Sequence, residues 1–297
     1  MDNPWLERRV LAYAHQGGAR EGPSSTLHAI ELALAAGADA VELDVRASSD
    51  GELVVFHDAS LERLTDGSGR VADHLWSELE QLDNAYYFVP GEDAQPGREA
   101  SAYPLRGRAP SDRRYGVARL AEVLDEFPGV LLNLDIKETA PAVPAYEATL
   151  ALLLADHGRT DDVIVTSFDD ASTETFRDLA PEIRTSAGSR LLGRAGSALL
   201  QGRRPDDAVC AELSRHAAVQ LPASYQGVRV VDAYLVRFAH ELGLAVHVWT
   251  VDDPAEMSEL VALGVDGIMT DRPSVLAAVL AELGAGWQPP DRARRPR

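Results

Sequence analysis

Two short stretches carry charged side chains where a buried β-strand should be apolar. In Ala40-Val41-Glu42-Leu43-Asp44-Val45, side chains alternate between faces, so Glu42 and Asp44 point the same way. In Leu132-Asn133-Leu134-Asp135-Ile136-Lys137, Asn133, Asp135 and Lys137 share one face and the three aliphatics take the other. Strands of a parallel barrel are buried on both faces and are normally apolar throughout. Two carboxylates turned inward repel each other and lose hydration. A divalent cation bound by oxygen ligands is the simplest compensation. The alternative is a buried Asp–Lys ion pair with a structural purpose. Lys137 is the only lysine among 28 basic residues. Arginine serves everywhere else, so a lone lysine points to a task that needs a compact ammonium; chance retention in an arginine-biased chain is the alternative. Two histidines sit at matching places, His15 in Ala14-His15-Gln16-Gly17-Gly18 and His57 between Val54-Val55-Phe56 and Asp58. Imidazole takes or gives a proton near pH 7, as a departing alkoxide requires. A single histidine is more often structural; two at strand ends beside an acidic pair suit acid–base work. His28, His74, His157, His216 and His240 fall in helical or connecting stretches and read as surface or packing residues.

The elements that must position these side chains alternate along the chain. Strands are expected over Leu11–Ala14, Ala40–Val45, Val130–Ile136, Val163–Thr166, Glu182–Ser186, Ala217–Leu221, Ala245–Thr250 and Gly267–Thr270. Amphipathic stretches cover Thr26–Ala36, Pro141–His157, Ala171–Leu179, Ala233–Leu242, Pro254–Leu263 and Pro273–Leu283. This βαβα order gives a parallel sheet, and eight strands point to closure into a (β/α)₈ TIM barrel, an α/β fold whose sites lie at the C-terminal mouth. Residues Arg190–Arg215 show no clear element edges. Asp50-Gly51 is a turn signal, so the second strand should run into a hairpin with Glu52–Phe56. Asn84–Gly116, rich in Pro, Gly, Arg and Tyr, reads as an insertion after the second barrel unit. Loops of that length are uncommon unless functional or disordered. It is expected to pass over the barrel mouth and contact substrate through Arg113, Arg114 or its tyrosines. Residues 1–287 form one domain in this reading, and Gln288–Arg297 a disordered tail.

The bulk numbers fit. The chain has 297 residues, 45% of them hydrophobic, enough for one barrel with its core. No apolar run approaches the ~20 residues that span a bilayer, so no integral membrane contact is expected. The opening MDNPWLERRV lacks an apolar signal core. The single cysteine, Cys210, allows no internal disulfide and reads as a small buried hydrophobe, so a cytoplasmic location is expected. A net charge of −19 argues against nucleic acid as a partner. It also repels phosphate esters, so an anionic substrate needs local positive charge, for which a metal is the obvious source. Oligomeric state is not readable from the sequence.

The ordered segments His15-Gln16-Gly17-Gly18, Pro23-Ser24-Ser25-Thr26, Gly37–Val45, Asp50-Gly51 and Val54-Val55-Phe56-His57-Asp58 resemble the N-terminal signature of the glycerophosphodiester phosphodiesterase family. That family shows H-R-G-G, P-E-N-T, G-A-D-x-I-E-x-D-V, D-G and V-V-x-H-D. Leu132–Lys137 is similar to its I-E-I-K strand, Ser167-Phe168-Asp169 to its S-F-D, and Trp249-Thr250-Val251 and Gly264–Pro273 to its last barrel strands. The likeness runs from about Leu11 to Ala278, excluding most of Asn84–Gly116. It implies a TIM barrel, one Mg²⁺ or Ca²⁺ ion, and hydrolysis of a small-molecule phosphodiester to an alcohol and a phosphomonoester, glycerol 3-phosphate for glycerol substrates. By resemblance, Glu42, Asp44 and Asp135 become the metal ligands and His15 and His57 the acid–base pair. Gln16, Lys137 and Trp249 become substrate-binding residues. A neighbouring glycerol hydroxyl would attack phosphorus, and water would open the cyclic phosphate.

Three positions depart from the pattern. Gln16 stands for the family's arginine, Ser24 for the P-E-N-T glutamate, and Asp135 for a longer glutamate. Glu21 could reach into the space of the missing glutamate. Two other functions compete. One is lysophospholipase D-like cleavage of a phospholipid headgroup, with an apolar groove drawn from Tyr86, Tyr87, Phe88 and Tyr103. The other is a catalytically silent barrel that binds phosphorylated ligands, motivated by Gln16 and Ser24.

Overall fold

The computed structural model describes residues 3–287; the expected disordered tail at 288–297 lies outside the described residues. Eight strands form the barrel: β1 Leu11–His15, β2 Ala40–Ala47, β3 Leu131–Ile136, β4 Val163–Thr166, β5 Arg184–Thr185, β6 Ala218–Pro222, β7 Ala245–Trp249 and β8 Gly267–Thr270. Neighbours pair in parallel in the order β5-β4-β3-β2-β1-β8-β7-β6. A parallel bridge between Ser186 and Ala218 joins the two ends, so the sheet closes on itself. Around it lie α1 Leu27–Ala36, α2 Leu120–Glu126, α3 Glu147–Asp156, α4 Asp170–Leu179, α5 Ser189–Leu199, α6 Asp207–Leu213, α7 Ala233–Glu241, α8 Pro254–Leu263 and α9 Pro273–Leu283.

Strand alternation sorts the side chains. Outward residues such as Val41, Leu43, Leu132, Leu134 and Val165 are buried against the helices. Inward residues change character along the strands. At the N-terminal end Leu11, Tyr13, Ala40, Leu131, Ile164 and Ala245 pack with Trp5 into an apolar plug. One level higher, Gln220 donates to Asn133 Oδ1 at 2.5 Å. Higher still come His15, Glu42, Asp44 and Asp135. Gly267 is required at the plug, since a Cβ there would lie 2.8 Å from the Tyr13 ring and 2.9 Å from His247.

Local signals explain most helix starts. The Thr26 hydroxyl accepts from Ala29 N and caps α1, and Gly37 ends it in the left-handed conformation. Asp253 caps α8 in the same way. The helix expected over Pro141–His157 begins only at Glu147. Pro141 and Pro144 remove backbone donors in that stretch, so it turns instead of coiling. The stretch Arg190–Arg215 resolves into two helices, α5 and α6.

The long excursion leaves the barrel after β2 and returns at α2. A strand at Leu53–Val55 pairs antiparallel with β2, then with Ala118–Arg119. Residues 56–117 hang from this ribbon and carry a core of their own around Phe56, Leu61, Leu64, Leu79 and Val117. The expected insertion Asn84–Gly116 is its second half. There the Arg106 guanidinium lies 4.2 Å from the Tyr86 ring and 4.1 Å from Tyr103. Arg114 pairs with Asp112 and Glu31, and Arg113 with Glu122. Arg113, Arg114, Tyr86 and Tyr103, expected to contact substrate, are thus engaged within the excursion or by Glu31 of α1 and Glu122 of α2. These contacts tie the loop to itself and to the barrel helices.

Candidate active site

β1 ends on His15, β7 ends on Trp249, Lys137 follows β3, and His57 follows the hairpin strand. Register sets His15 beside Glu42 and Asp44 beside Asp135. The barrel mouth opens onto two cavities. The larger, about 1100 Å³, is lined by His15, Glu42, Asp44, His57, Asp135, Lys137 and Trp249, among others. The smaller, about 210 Å³, is lined by His15, Gln16, Ser24, His57, Arg63 and Asn84, among others. The eight expected site residues thus converge, and only the two histidines among them face both cavities.

Each histidine is oriented by a carboxylate. His15 Nδ1 is 2.6 Å from Asp271 Oδ1, and its Nε2 is 3.8 Å from Glu42 Oε2. His57 Nδ1 is 2.7 Å from Asp58 Oδ1. Arg63 grips both oxygens of Asp58 at 2.6 and 2.8 Å. Burial alone would raise the Asp58 carboxyl, but the hydrogen bonds from Arg63 and His57 hold it well below the usual range. Arg46, on β2, donates to the His57 carbonyl and fixes that loop. Burial would lower His15, yet the Asp271 hydrogen bond and the Glu42 charge lift it to about 9.

The carboxylates repel one another. Burial, and then the Asp44 charge, carries Glu42 to about 8. Burial lifts Asp135 to about 6 against the pull of Lys137. The Lys137 ammonium is 2.7 Å from Asp44 Oδ1 and 2.6 Å from Asp135 Oδ2. The far oxygens, Asp44 Oδ2 and Asp135 Oδ1, are buried without a hydrogen-bond partner. Three buried carboxylates, two of them with an orphaned oxygen, fit a hard divalent cation. Among the described residues, no three His, Cys, Asp or Glu side chains already surround a common point; Lys137 holds two of the carboxylates instead.

The two departures near the N-terminus meet each other. Ser24 Oγ donates to Gln16 Oε1 at 2.7 Å, and the Gln16 backbone N–H donates to Glu42 Oε2 at 3.1 Å. Glu21 does not fill the space of the missing glutamate. It turns to the start of α9, where Ser274 donates from N and Oγ. Of the loop aromatics, only Phe88 lines a cavity, the smaller one. Sequence reasoning passed over Asp271, Asp58, Arg63, Asn84 and Phe168. Phe168 meets Trp249 edge to face, with ring centroids 5.8 Å apart. Asp58 and Asp271 both stand inside quoted motifs, directly after His57 and within GVDGIMTDRP. A search for a carboxylate partner to each histidine would have singled them out.

Comparison with known proteins agrees with this geometry. The model of the glycerophosphoryl diester phosphodiesterase family matches residues 15–275. A glycerophosphodiester phosphodiesterase of Bacillus subtilis (strain 168) is 31% identical over 278 residues, covering 91% of this chain and 86% of that protein. The crystal structure of a glycerophosphodiester phosphodiesterase from Agrobacterium tumefaciens superposes with a TM-score of 0.66 at 26% identity, over 91% of this chain and 99% of that one. A phosphodiesterase of Oleispira antarctica, solved in complex with the product sn-glycerol-3-phosphate, shares the fold, with a TM-score of 0.71 at 21% identity over 93% of this chain and 99% of that one. A chain matched by the family model over residues 15–275, and by a 31% identical relative over 91% of its length, belongs to the glycerophosphoryl diester phosphodiesterase family and is a phosphoric diester hydrolase.

Proposed function

We propose that the protein hydrolyses glycerophosphodiesters to an alcohol and glycerol 3-phosphate, with His15 and His57 as the acid–base pair. In this reading Glu42, Asp44 and Asp135 hold one Mg²⁺ or Ca²⁺ ion. The observation that carries it is the pair of carboxylate-oriented imidazoles flanking three buried, mutually repelling carboxylates. When bound, the cation would offset charge that grows on a non-bridging phosphoryl oxygen. With each Nδ1 engaged by a carboxylate, Nε2 is the nitrogen left for substrate. One histidine takes the proton of the attacking glycerol hydroxyl, and the other gives a proton to the departing alcohol. Water then opens the cyclic phosphate, with the two roles exchanged. Lys137 supplies fixed positive charge beside the phosphoryl group, and Gln16 and Trp249 line its surroundings. Such turnover belongs to lipid metabolism. A cytoplasmic setting is part of the reading and rests on cysteine usage, since Cys210 is free and buried.

The test is metal removal with product identification. Purified enzyme is treated with chelator and assayed on glycerophosphocholine. We expect turnover to fall to background and to return with Mg²⁺ or Ca²⁺, giving choline and glycerol 3-phosphate. Full turnover by protein that elemental analysis shows to be metal-free would sink the metal-dependent reading.

A further inference from the structure

Two residues other than glycine hold left-handed backbone beside the smaller cavity, Gln16 at φ 51° and Ser25 at φ 59°. That conformation is costly for a residue with a side chain and persists where its surroundings enforce it. Here the two strained turns are bound to each other. Ser25 N donates to the Gln16 carbonyl at 2.8 Å, and Ser24 Oγ donates to Gln16 Oε1 at 2.7 Å. The Gln16 backbone N–H is taken by Glu42 Oε2. Gln16 is thus held at its N–H, its carbonyl and its side-chain oxygen, and both Gln16 and Ser24 are buried. The amide nitrogen is the end left over. It lies 3.5 Å from His15 Nε2, the nitrogen available to substrate.

The two ends of a primary amide are alike in shape, so hydrogen-bond partners alone decide which end faces a site. An amide NH2 beside His15 donates to a phosphoryl oxygen, whereas a carbonyl oxygen there repels it. The Ser24 hydroxyl has one proton to give. Given to Gln16 Oε1, it commits the oxygen and leaves the NH2 beside His15. The two departures from the family pattern are therefore coupled. A guanidinium at position 16 donates from every edge and needs no aiming. An amide has an acceptor end and does. A carboxylate at position 24 accepts only, and would draw the NH2 to itself and turn the oxygen toward His15. Ser24 is held in turn from the excursion. Asn84 Nδ2 donates to the Ser24 carbonyl at 3.0 Å, and Asn84 N donates to the Tyr115 carbonyl at 3.0 Å.

We propose that Ser24 is a positioning residue, whose hydroxyl fixes the Gln16 amide so that its NH2 donates to a non-bridging oxygen of the phosphodiester. The proposal rests on the phosphodiesterase reading and adds to it a residue that touches no reacting atom. It also gives the excursion a part in the reaction. That part runs through Asn84 and the Ser24 carbonyl, not through the arginines and tyrosines.

The experiment is a double-mutant cycle on glycerophosphocholine, with wild type, Ser24→Ala, Gln16→Met and the two combined. Ser24→Ala deletes one buried oxygen and should lower kcat/KM roughly tenfold. Ser24→Thr keeps the hydroxyl and should return most of that loss. Because Ser24 acts through Gln16, Ser24→Ala should cost nothing further once Gln16→Met has removed the amide. A purely structural serine would cost the same in both backgrounds. Should Ser24→Ala lose its circular dichroism spectrum, Asn84→Ala takes its place in the cycle, with about a threefold loss expected. No loss in the Gln16 background of the wild type, or an equal loss beside Gln16→Met, overturns the proposal. An absence of turnover in the wild-type enzyme overturns the phosphodiesterase reading and the proposal with it, a distinguishable result.

Discussion

His15 and His57 are built alike although they come from different parts of the chain. Each gives Nδ1 to a carboxylate, Asp271 or Asp58, and each stands at the boundary between the two cavities. Positioned acid–base groups contribute about 10²–10⁴-fold in rate. His15→Ala and His57→Ala should each lose turnover of that order on an alkyl phosphodiester, with the circular dichroism spectrum unchanged. Only one of them should be rescued by a p-nitrophenyl ester, whose departing group needs no proton. Near-wild-type turnover in either variant would falsify the pairing. The residues that sequence alone made visible were those that broke a pattern. Glu42, Asp44, Asp135 and Lys137 stood out because buried strands should be apolar, and the two histidines because they ended strands. Asp58 and Asp271 broke no period, because loop residues have none, and their roles exist only through the three-dimensional pairing. Asn84 was hidden for the same reason: its place is set by a hydrogen bond from its amide to the carbonyl of Ser24.

Among elements, the excursion after β2 depends most on its own side chains. Arg106 is its keystone, stacked between Tyr86 and Tyr103 and donating to the Tyr86 carbonyl. Cation–π contacts contribute about 0.5–2 kcal/mol. Arg106→Ala should therefore raise cleavage within residues 86–108 by limited proteolysis about tenfold, while the barrel resists as before. Identical cleavage rates would show that the stack holds nothing. Barrel strands were legible to within a residue or two, because alternation and aliphatic content repeat eight times. The excursion was legible only as a departure from the repeat. Its tyrosines and arginines read as candidate substrate contacts because sequence does not show which acids and ring faces engage them in the fold. The larger cavity was invisible for a different reason. Its walls are ordinary core residues, and sequence records which side chains are apolar without recording the space between helices.

The closed ring also buries a histidine that lines neither cavity of the mouth. His247 lies on the inner face of β7 beside Trp5 and Tyr13, with no hydrogen-bond partner at either ring nitrogen. Burial lowers it from 6.5 to about 3. His216, also lowered chiefly by burial, falls to about 4. Both are neutral in the folded barrel at pH values where the unfolded chain is protonated. Stability from this source is complete above pH 6.5 and is lost as pH falls toward 3, because the unfolded state takes up protons first. For His247 alone the loss is on the order of 4 kcal/mol across that window. The urea midpoint should drop between pH 7 and pH 4, and the drop should be smaller in His247→Met. An equal drop in both proteins would remove His247 from the account.

The lone lysine has a practical consequence. An amine-directed reagent meets one side-chain target in the described barrel, Lys137, and that target is screened between Asp44 and Asp135 at the mouth. The rest of the cationic surface is guanidinium, inert to such chemistry. Acylation or reductive methylation, usually scattered over many lysines, has here one side-chain site, in the pocket, to be told from the α-amino group by peptide mapping. Its rate reads how often the two carboxylates let go of their ammonium.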